Sequence, residues 1–263
     1  MAIPSKQIGW GTEENLLWQI SKQLETLTNV TYNIGKITST TSTSTSTTTT
    51  TTTVAPGPGN VGIAASTDFD IVGDFTIEMF VNLSNLNGFP RPYSFGAYPA
   101  PNAISIEGGQ LYFWANNGAL INGAFEPNVG QWYHLCVIGS GSTAYMLIDG
   151  FQVASSPYSG SISSQGLPLT IGDGNEPDSS FNGLMSNFRW NNTAVYDPAG
   201  FTVPTSTLPN ISGDVLLIFQ GTNLPMELSD LSGNGHNATN SGATYSTENP
   251  FAATEGSLQM GTI

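Results

Sequence analysis

The sequence predicts a mainly β protein, in which an antiparallel β-sandwich follows a short N-terminal α-helix and an extended segment rich in Ser and Thr. Three observations carry this prediction. Residues 38–53 are all Ser or Thr, a composition that cannot supply an apolar core. Residues 13–28 place apolar side chains at helical spacing. After residue 60, short runs of alternating apolar and polar residues lie between Gly, Asn, Asp and Pro.

The N-terminal segment, residues 1–37, is predicted to be an anchor that contains one amphipathic helix. Thr12 is a suitable N-cap for a helix over 13–28, and the apolar positions inside it follow a heptad pattern. Because a helix of this length is marginal alone in water, its apolar face needs copies of itself or another protein. The alternative is packing against the chain's own β-domain. The side chains expected to mediate oligomerisation or docking are Trp10, Leu17, Ile20, Leu24 and Leu27.

The second segment, residues 38–59, joins the Ser/Thr run to a short end rich in Pro and Gly, and we predict a stalk. Most of the run is Thr, whose branched Cβ favours extended backbone. Several copies side by side would form an intertwined rod, whereas a single copy would be a solvated spacer. The sequence leaves both alternatives open.

The third segment, residues 60–263, carries the whole formal net charge of −14, because the acids and lysines before it balance. Its only Lys or Arg residues are Arg91 and Arg189. A nucleic-acid surface needs clustered basic residues, so nucleic acid is not expected as a partner. No apolar run approaches the ~18 residues of a membrane span, so no membrane insertion is expected. The single cysteine, Cys136, excludes an intrachain disulfide and is predicted to be a buried core thiol.

Period-two alternation locates individual strands of this segment. In residues 75–83 the odd positions are apolar, which predicts a strand with one buried face. Asp149 and Gly150 lie between two such runs and predict a tight hairpin turn. The predicted strands cover residues 75–83, 110–115, 132–139, 143–149, 151–154, 169–172, 184–190 and 214–219.

Several of these blocks resemble the laminin-G-like, concanavalin A-like lectin domains. The hairpin QWYHLCV (131–137) and AYMLIDGFQV (144–153) is similar to their central hairpin. The further blocks that carry the resemblance are residues 75–81, 169–172, 181–190, 196, 201–204, 215–219 and 230–236. The last two usually lie near the N-terminus of such domains but come last here. The resemblance implies a jelly-roll β-sandwich over roughly residues 60–248.

A second resemblance concerns the N-terminus. Residues 5–24 resemble the opening of virion structural proteins from tailed phages, notably cyanophages. The resemblance implies that residues 1–37 dock on other virion proteins and that the protein lies on the virion surface, in the capsid or in a tail fibre or spike. With the heptad pattern, it leads us to expect a homo-oligomer, a trimer.

The sequence does not predict an enzyme. Concanavalin A-like folds also include glycoside hydrolases, which need two carboxylates about 5–9.5 Å apart on a sugar cleft. The pair nearest in sequence is Glu227 and Asp230, in a segment flanked by Pro and Gly, where a turn-stabilising Asp is the favoured interpretation. The laminin-G resemblance also implies a Ca²⁺ site at the sandwich rim, for which Asp173, Glu176 and Asp178 are the candidates. The alternative for that loop is a solvated acidic turn.

Carbohydrate binding is the more specific hypothesis, because sugar sites use exposed aromatic rings for stacking and amide groups for hydrogen bonds. Tyr93, Phe95 and Tyr98 lie in a Pro-rich segment that is predicted to be a loop, and Trp190 and Asn191 lie at a strand end. The alternative is that these rings pack on one another or on neighbouring subunits. We therefore expect a virion structural protein that attaches to host-surface polysaccharide. The alternatives are a purely structural capsid decoration protein without sugar binding and, less favoured, a glycan-active enzyme.

Overall fold

The computed structural model describes residues 59–251 and 255–261, which form the predicted antiparallel β-sandwich. The predicted helix, the residues assigned to oligomerisation or docking and the Ser/Thr run lie outside the described residues. The first sheet has seven strands, in spatial order β15 (Thr239–Ser241), β1 (Asn60–Ile63), β12 (Leu169–Ile171), β4 (Tyr93–Phe95), β5 (Asn102–Glu107), β6 (Gln110–Ala115) and β7 (Gly118–Ala124).

The second sheet has eight strands and packs on the first. In spatial order they are β10 (Phe151–Pro157), β9 (Thr143–Ile148), β8 (Trp132–Ser140), β3 (Phe75–Leu83), β13 (Gly183–Asn191), β17 (Ser257–Met260) and β16 (Thr244–Ser246), while β14 (Asp214–Ile218) pairs with β13. Two short strands, β2 (Ile71–Val72) and β11 (Ser161–Ile162), form a separate pair. The described helices are a 3₁₀ turn (Thr67–Phe69) and one short helix, α1 (Leu224–Glu227).

All eight predicted strands are present, with ends that differ by at most three residues. The predicted hairpin is also confirmed: β9 and β10 pair across Asp149 and Gly150, both with positive φ, 50° and 78°. Left-handed backbone at two successive positions matches the twist of the flanking strands, which is why Asp-Gly is favoured there. The segment at residues 93–95 was predicted to be a loop, and this was wrong. It forms β4, which pairs with β5 and β12.

The central strand β3 shows why alternation alone is incomplete. Phe75, Ile77 and Met79 point into the apolar core between the sheets, as the pattern predicts. However, the residues of the other face are buried as well, so the prediction of one buried face was wrong. The alternating side chains of β3 therefore enter two buried layers, an apolar core on one face and a layer that contains polar groups on the other.

This second layer exists because the chain after β13 folds back over the outer face of the second sheet. The Thr76 hydroxyl bridges the carbonyl of Thr193 and the N–H of Val195 at 2.8 and 2.9 Å. Tyr196 and Phe201 stack at 4.0 Å between ring centroids and pack with the buried thiol of Cys136. Cys136 is therefore in a core, as predicted, and burial raises the pKa of its thiol well above the usual value.

A buried ionic network lies under this cover. Glu78 accepts from Arg189 at 2.8 Å, lies 2.8 Å from His134 Nε2, and accepts from the Tyr196 hydroxyl at 3.0 Å. Arg189 also contacts Asp214 at 3.2 Å. Charges removed from water must be paired and hydrogen-bonded, so this network explains how Glu, His and Arg coexist in a buried layer. The central strands β3, β8 and β13 of the second sheet are therefore buried on both faces. In the part of the chain that the structure describes, no helix has the length and apolarity to span a membrane.

Candidate functional site

The outer face of the first sheet carries a row of aromatic side chains. On β6 the side chains alternate, so that Leu111 and Phe113 are fully buried in the core while Tyr112 and Trp114 point outward and are half-buried. Trp114 donates its indole N–H to the hydroxyl of Ser105 on the adjacent strand at 2.9 Å. This bond satisfies the polar atom of the indole and fixes the orientation of its ring.

Tyr98 extends the row from the loop that follows β4. Its side chain is 60% exposed, and its ring meets the Trp114 ring edge-on, with 5.4 Å between centroids. The rings of Tyr112 and Trp114 are 6.1 Å apart and inclined by 30°. Such contacts stabilise aromatic pairs beyond simple burial. Three adjacent aromatic rings, two held by strand geometry, therefore border the solvent on this face.

A groove of about 370 Å³ runs beside Tyr98 and Trp114. Its size falls in the range of small-ligand sites. Its walls combine aromatic rings with ionic and hydroxyl groups, and the lining residues are Phe89, Arg91, Tyr98, Ser105, Glu107, Trp114 and Glu176.

Arg91 forms the ionic floor of the groove. It is only 3% exposed, and its Nη2 lies 2.6 Å from Glu176 Oε1. The absence of a side chain at Gly174 makes room for it, since a Cβ there would lie 2.6 Å from Arg91 Cδ. Burial lowers the pKa of the guanidinium, and the nearby carboxylates of Glu176, Glu107 and Asp173 counteract this. The pair thus ties the 173–178 loop to the sheet.

The predicted calcium residues take other partners in this loop. Asp173 accepts from the hydroxyl of Ser179 at 3.0 Å and from Asn60 at 3.4 Å, while Glu176 pairs with Arg91. Asp178 is exposed. Among the described residues, no group of three or more His, Cys, Asp or Glu side chains is arranged to hold a metal ion. Ca²⁺ binding by Asp173, Glu176 and Asp178 stays a prediction, and of these three residues Glu176 lines the groove.

The structure separates Tyr98 from the other predicted carbohydrate-binding residues. Tyr93, Phe95 and Trp190 are completely buried and pack edge-on in the core, with centroids 5.7–5.9 Å apart for the two pairs with Trp190. Asn191 is also buried and donates to Asp214 at 2.7 Å. A ring or amide without solvent access cannot contact a sugar, so these four assignments were wrong. For the three rings, the alternative of mutual packing is correct.

The two carboxylates whose sequence spacing comes nearest to that of a catalytic pair lie in different surroundings. They are Glu227 and Asp230. Asp230 accepts from the backbone N–H groups of Leu217, Ser232 and His236 at 2.9–3.2 Å, so its turn-stabilising role is confirmed. Glu227 is completely buried at the end of α1.

The sequence did not single out Tyr112 of the aromatic row or the groove residues Phe89, Arg91, Ser105, Glu107 and Trp114. The run Gln110–Ala115 was predicted as a strand, but both of its phases contain large apolar or aromatic residues. Its outward face was therefore not assigned. The available signal was Gln110, which shares the phase of Tyr112 and Trp114 and marks that phase as the exposed one.

The sandwich and its open aromatic face define the class of lectin-like β-sandwich proteins. Residues 55–198, more than half of the chain, match the family model of the Concanavalin A-like lectin/glucanases superfamily, and the chain belongs to this superfamily. The predicted concanavalin A-like fold is thereby confirmed. No curated protein matches the sequence.

Three solved structures illustrate the likeness. A Bacteroides ovatus protein described as a candidate carbohydrate-binding protein is 16% identical with a TM-score of 0.51, over 70% of this chain and 58% of its own. The SAP-like pentraxin of Limulus polyphemus is 14% identical (TM-score 0.39; 53% and 78%), and domains LG4-5 of the mouse laminin alpha1 chain are 20% identical (TM-score 0.39; 57% and 45%). This chain thus spans less than two thirds of the Bacteroides protein. At these identities the likeness is one of fold alone.

Proposed function

We propose that this protein is a non-enzymatic glycan-binding protein whose ligand lies across Tyr98 and Trp114 on the first sheet. The observation that carries the proposal is the row of three aromatic rings beside a groove with polar walls. Sugar rings have apolar faces that stack on aromatic side chains and a rim of hydroxyls that hydrogen-bond to polar neighbours. The groove offers both kinds of partner within one surface.

The state of the opposite face supports the same assignment. The outer face of the central strands β3 and β8 is covered by the segment after β13 and by Phe251, whose ring packs on Phe80 at 5.0 Å. An extended glycan is therefore kept from these central strands, whereas the outward side chains of β6 stay accessible.

The wider role that we propose is attachment of a phage virion to host-surface polysaccharide. In this proposal residues 1–37 dock on virion proteins and trimerise, residues 38–59 form the stalk, and residues 60–263 present the sandwich at the virion surface. The support is the N-terminal sequence pattern. A decoration protein without sugar binding is the competing role, and the binding experiment separates the two.

The test is binding of the full chain to an array of bacterial surface polysaccharides and plant, algal and animal glycans. We expect at least one glycan to bind and Trp114→Ala and Tyr98→Ala each to weaken it roughly tenfold or more, about 1.4 kcal/mol. Phe151→Ala is the matched control, because Phe151 is an aromatic residue with 77% exposure in β10, on the second sheet. Absence of binding across the array, or equal binding by all three variants, would contradict glycan recognition at this face.

A further inference from the structure

The groove that we assign to glycan binding has an unusual charge balance for an anion site. Glu107 and Glu176 line it, and Arg91 is its only cation. The carboxylate of Asp173 also acts on the Arg91 guanidinium. Three carboxylates therefore surround one positive charge, and the local field is negative.

The single cation is not available to a ligand. Arg91 Nη2 is taken by Glu176, and Nε and Nη1 are enclosed by protein without a hydrogen-bond partner and without solvent contact. The other arginine of the described residues, Arg189, is 1% exposed beneath the cover of the second sheet. A uronate or sulfate group entering the groove would lose its hydration without gaining a counter-charge.

A neutral sugar finds a suitable partner in the same place. Glu107 is exposed at the end of β5, and no hydrogen bond or ion pair to its carboxylate occurs among the described residues. An ionised carboxylate has two acceptor oxygens and accepts strong, charge-assisted hydrogen bonds from hydroxyl groups. Because Glu107 and Trp114 both line the groove, a glycan in it can donate hydroxyls to the carboxylate while one of its rings stacks on Trp114.

From these contacts we infer that the groove selects neutral, hydroxyl-rich glycans and rejects glycans that carry carboxylate or sulfate groups. Glu107 is the residue that contacts the sugar hydroxyls, and Glu176 is a positioning residue that withholds Arg91 from anions. This inference rests on the proposed function, since it concerns the ligand class of the same site.

The experiment measures affinity of the full chain, by calorimetry at moderate salt, for glycan pairs on the same backbone in which one member carries a charged group and the other a neutral group. The pairs are polygalacturonate and its methyl ester, a glucan and its C6-oxidised uronate form, and a sulfated galactan and its desulfated form. In every pair that binds, we expect the neutral member to bind roughly tenfold tighter or more. Salt near 0.15 M shortens the reach of the overall negative charge to about 8 Å, so the local groove field dominates the difference.

Two variants assign the selectivity to the named residues. Glu107→Gln should lower the affinity for the neutral member of a pair and reduce the affinity ratio between the two members. Glu176→Gln removes the carboxylate that pairs with Arg91 and should raise the affinity for the charged member several-fold. Glu248→Gln is the matched control, because it changes the net charge equally at an exposed position after β16, on the second sheet. The inference is overturned, while the proposed function stands, if charged members bind as tightly as neutral ones. It is also overturned if the affinity ratio of neutral to charged member is the same in Glu176→Gln as in the wild type. If no glycan binds, either on the array or in these pairs, or if Trp114→Ala leaves the affinity of a bound glycan unchanged, the proposed function itself fails and the inference with it.

Discussion

Glu227 offers a stability prediction with a defined dependence on pH. The residue ends α1, is completely buried, and neither of its carboxylate oxygens has a well-formed hydrogen bond among the described residues. Burial raises its pKa from the usual 4.5 to about 7. The N–H of Gly221 counteracts this in part, although it falls short of standard hydrogen-bond geometry, and the charge of Glu255 adds to the rise.

The sign follows from proton counting. Between pH 4.5 and about 7 the folded protein holds a proton on Glu227 that the unfolded chain has lost, so the free energy of unfolding falls as pH rises. The pKa change corresponds to a loss of about 3 kcal/mol once the pH is above both values. Glu227→Gln keeps the shape but cannot ionise. It should equal the wild type near pH 4 and exceed its stability by about 3 kcal/mol near pH 8.

The assay is urea unfolding followed by tryptophan fluorescence, since Trp190 is fully buried in the core. Unfolding free energies would be measured at several values from about pH 4 to about pH 8 for the wild type and Glu227→Gln. Glu248→Gln, at an exposed position, is the control for a general change of charge. If the wild type and Glu227→Gln show parallel pH profiles, then Glu227 ionises in the folded state without penalty, and the argument from burial is refuted.

Two further predictions concern the cover of the second sheet. Glu78→Gln removes the charge that pairs with Arg189 and leaves a buried guanidinium without its full counter-charge. We expect it to lower the free energy of unfolding in urea by about 3–5 kcal/mol. A decrease no larger than that of Glu126→Gln, at an exposed position, would contradict this. Gly150→Ala should destabilise the protein by more than Gly141→Ala. Both glycines have positive φ, but a Cβ at Gly150 would overlap the carbonyl oxygen of Phe201, whereas a Cβ at Gly141 would meet no neighbouring atom. Equal effects of the two substitutions on thermal unfolding would contradict this prediction.

The sequence by itself determined the class of fold and most of the local structure. Period-two alternation is a local property, because successive side chains of a strand point to opposite faces. It located β3, β6 and the β8–β9–β10 meander, and Asp149-Gly150 specified the turn because few residues tolerate positive φ. Charge counting located the negative charge in the β-domain without reference to structure.

Only the tertiary structure decided which aromatic residues are exposed. Tyr93 and Trp190 look like Tyr98 and Trp114 in local sequence, yet the first two fill the core and the last two border the groove. Burial depends on which sheet face a distant segment covers, and local alternation has no information on that. The segment after β13 covers the polar face of β3, whereas no such cover lies over the outward face of β6 with Tyr112 and Trp114 in the described residues. The site is therefore a product of packing between segments far apart in sequence.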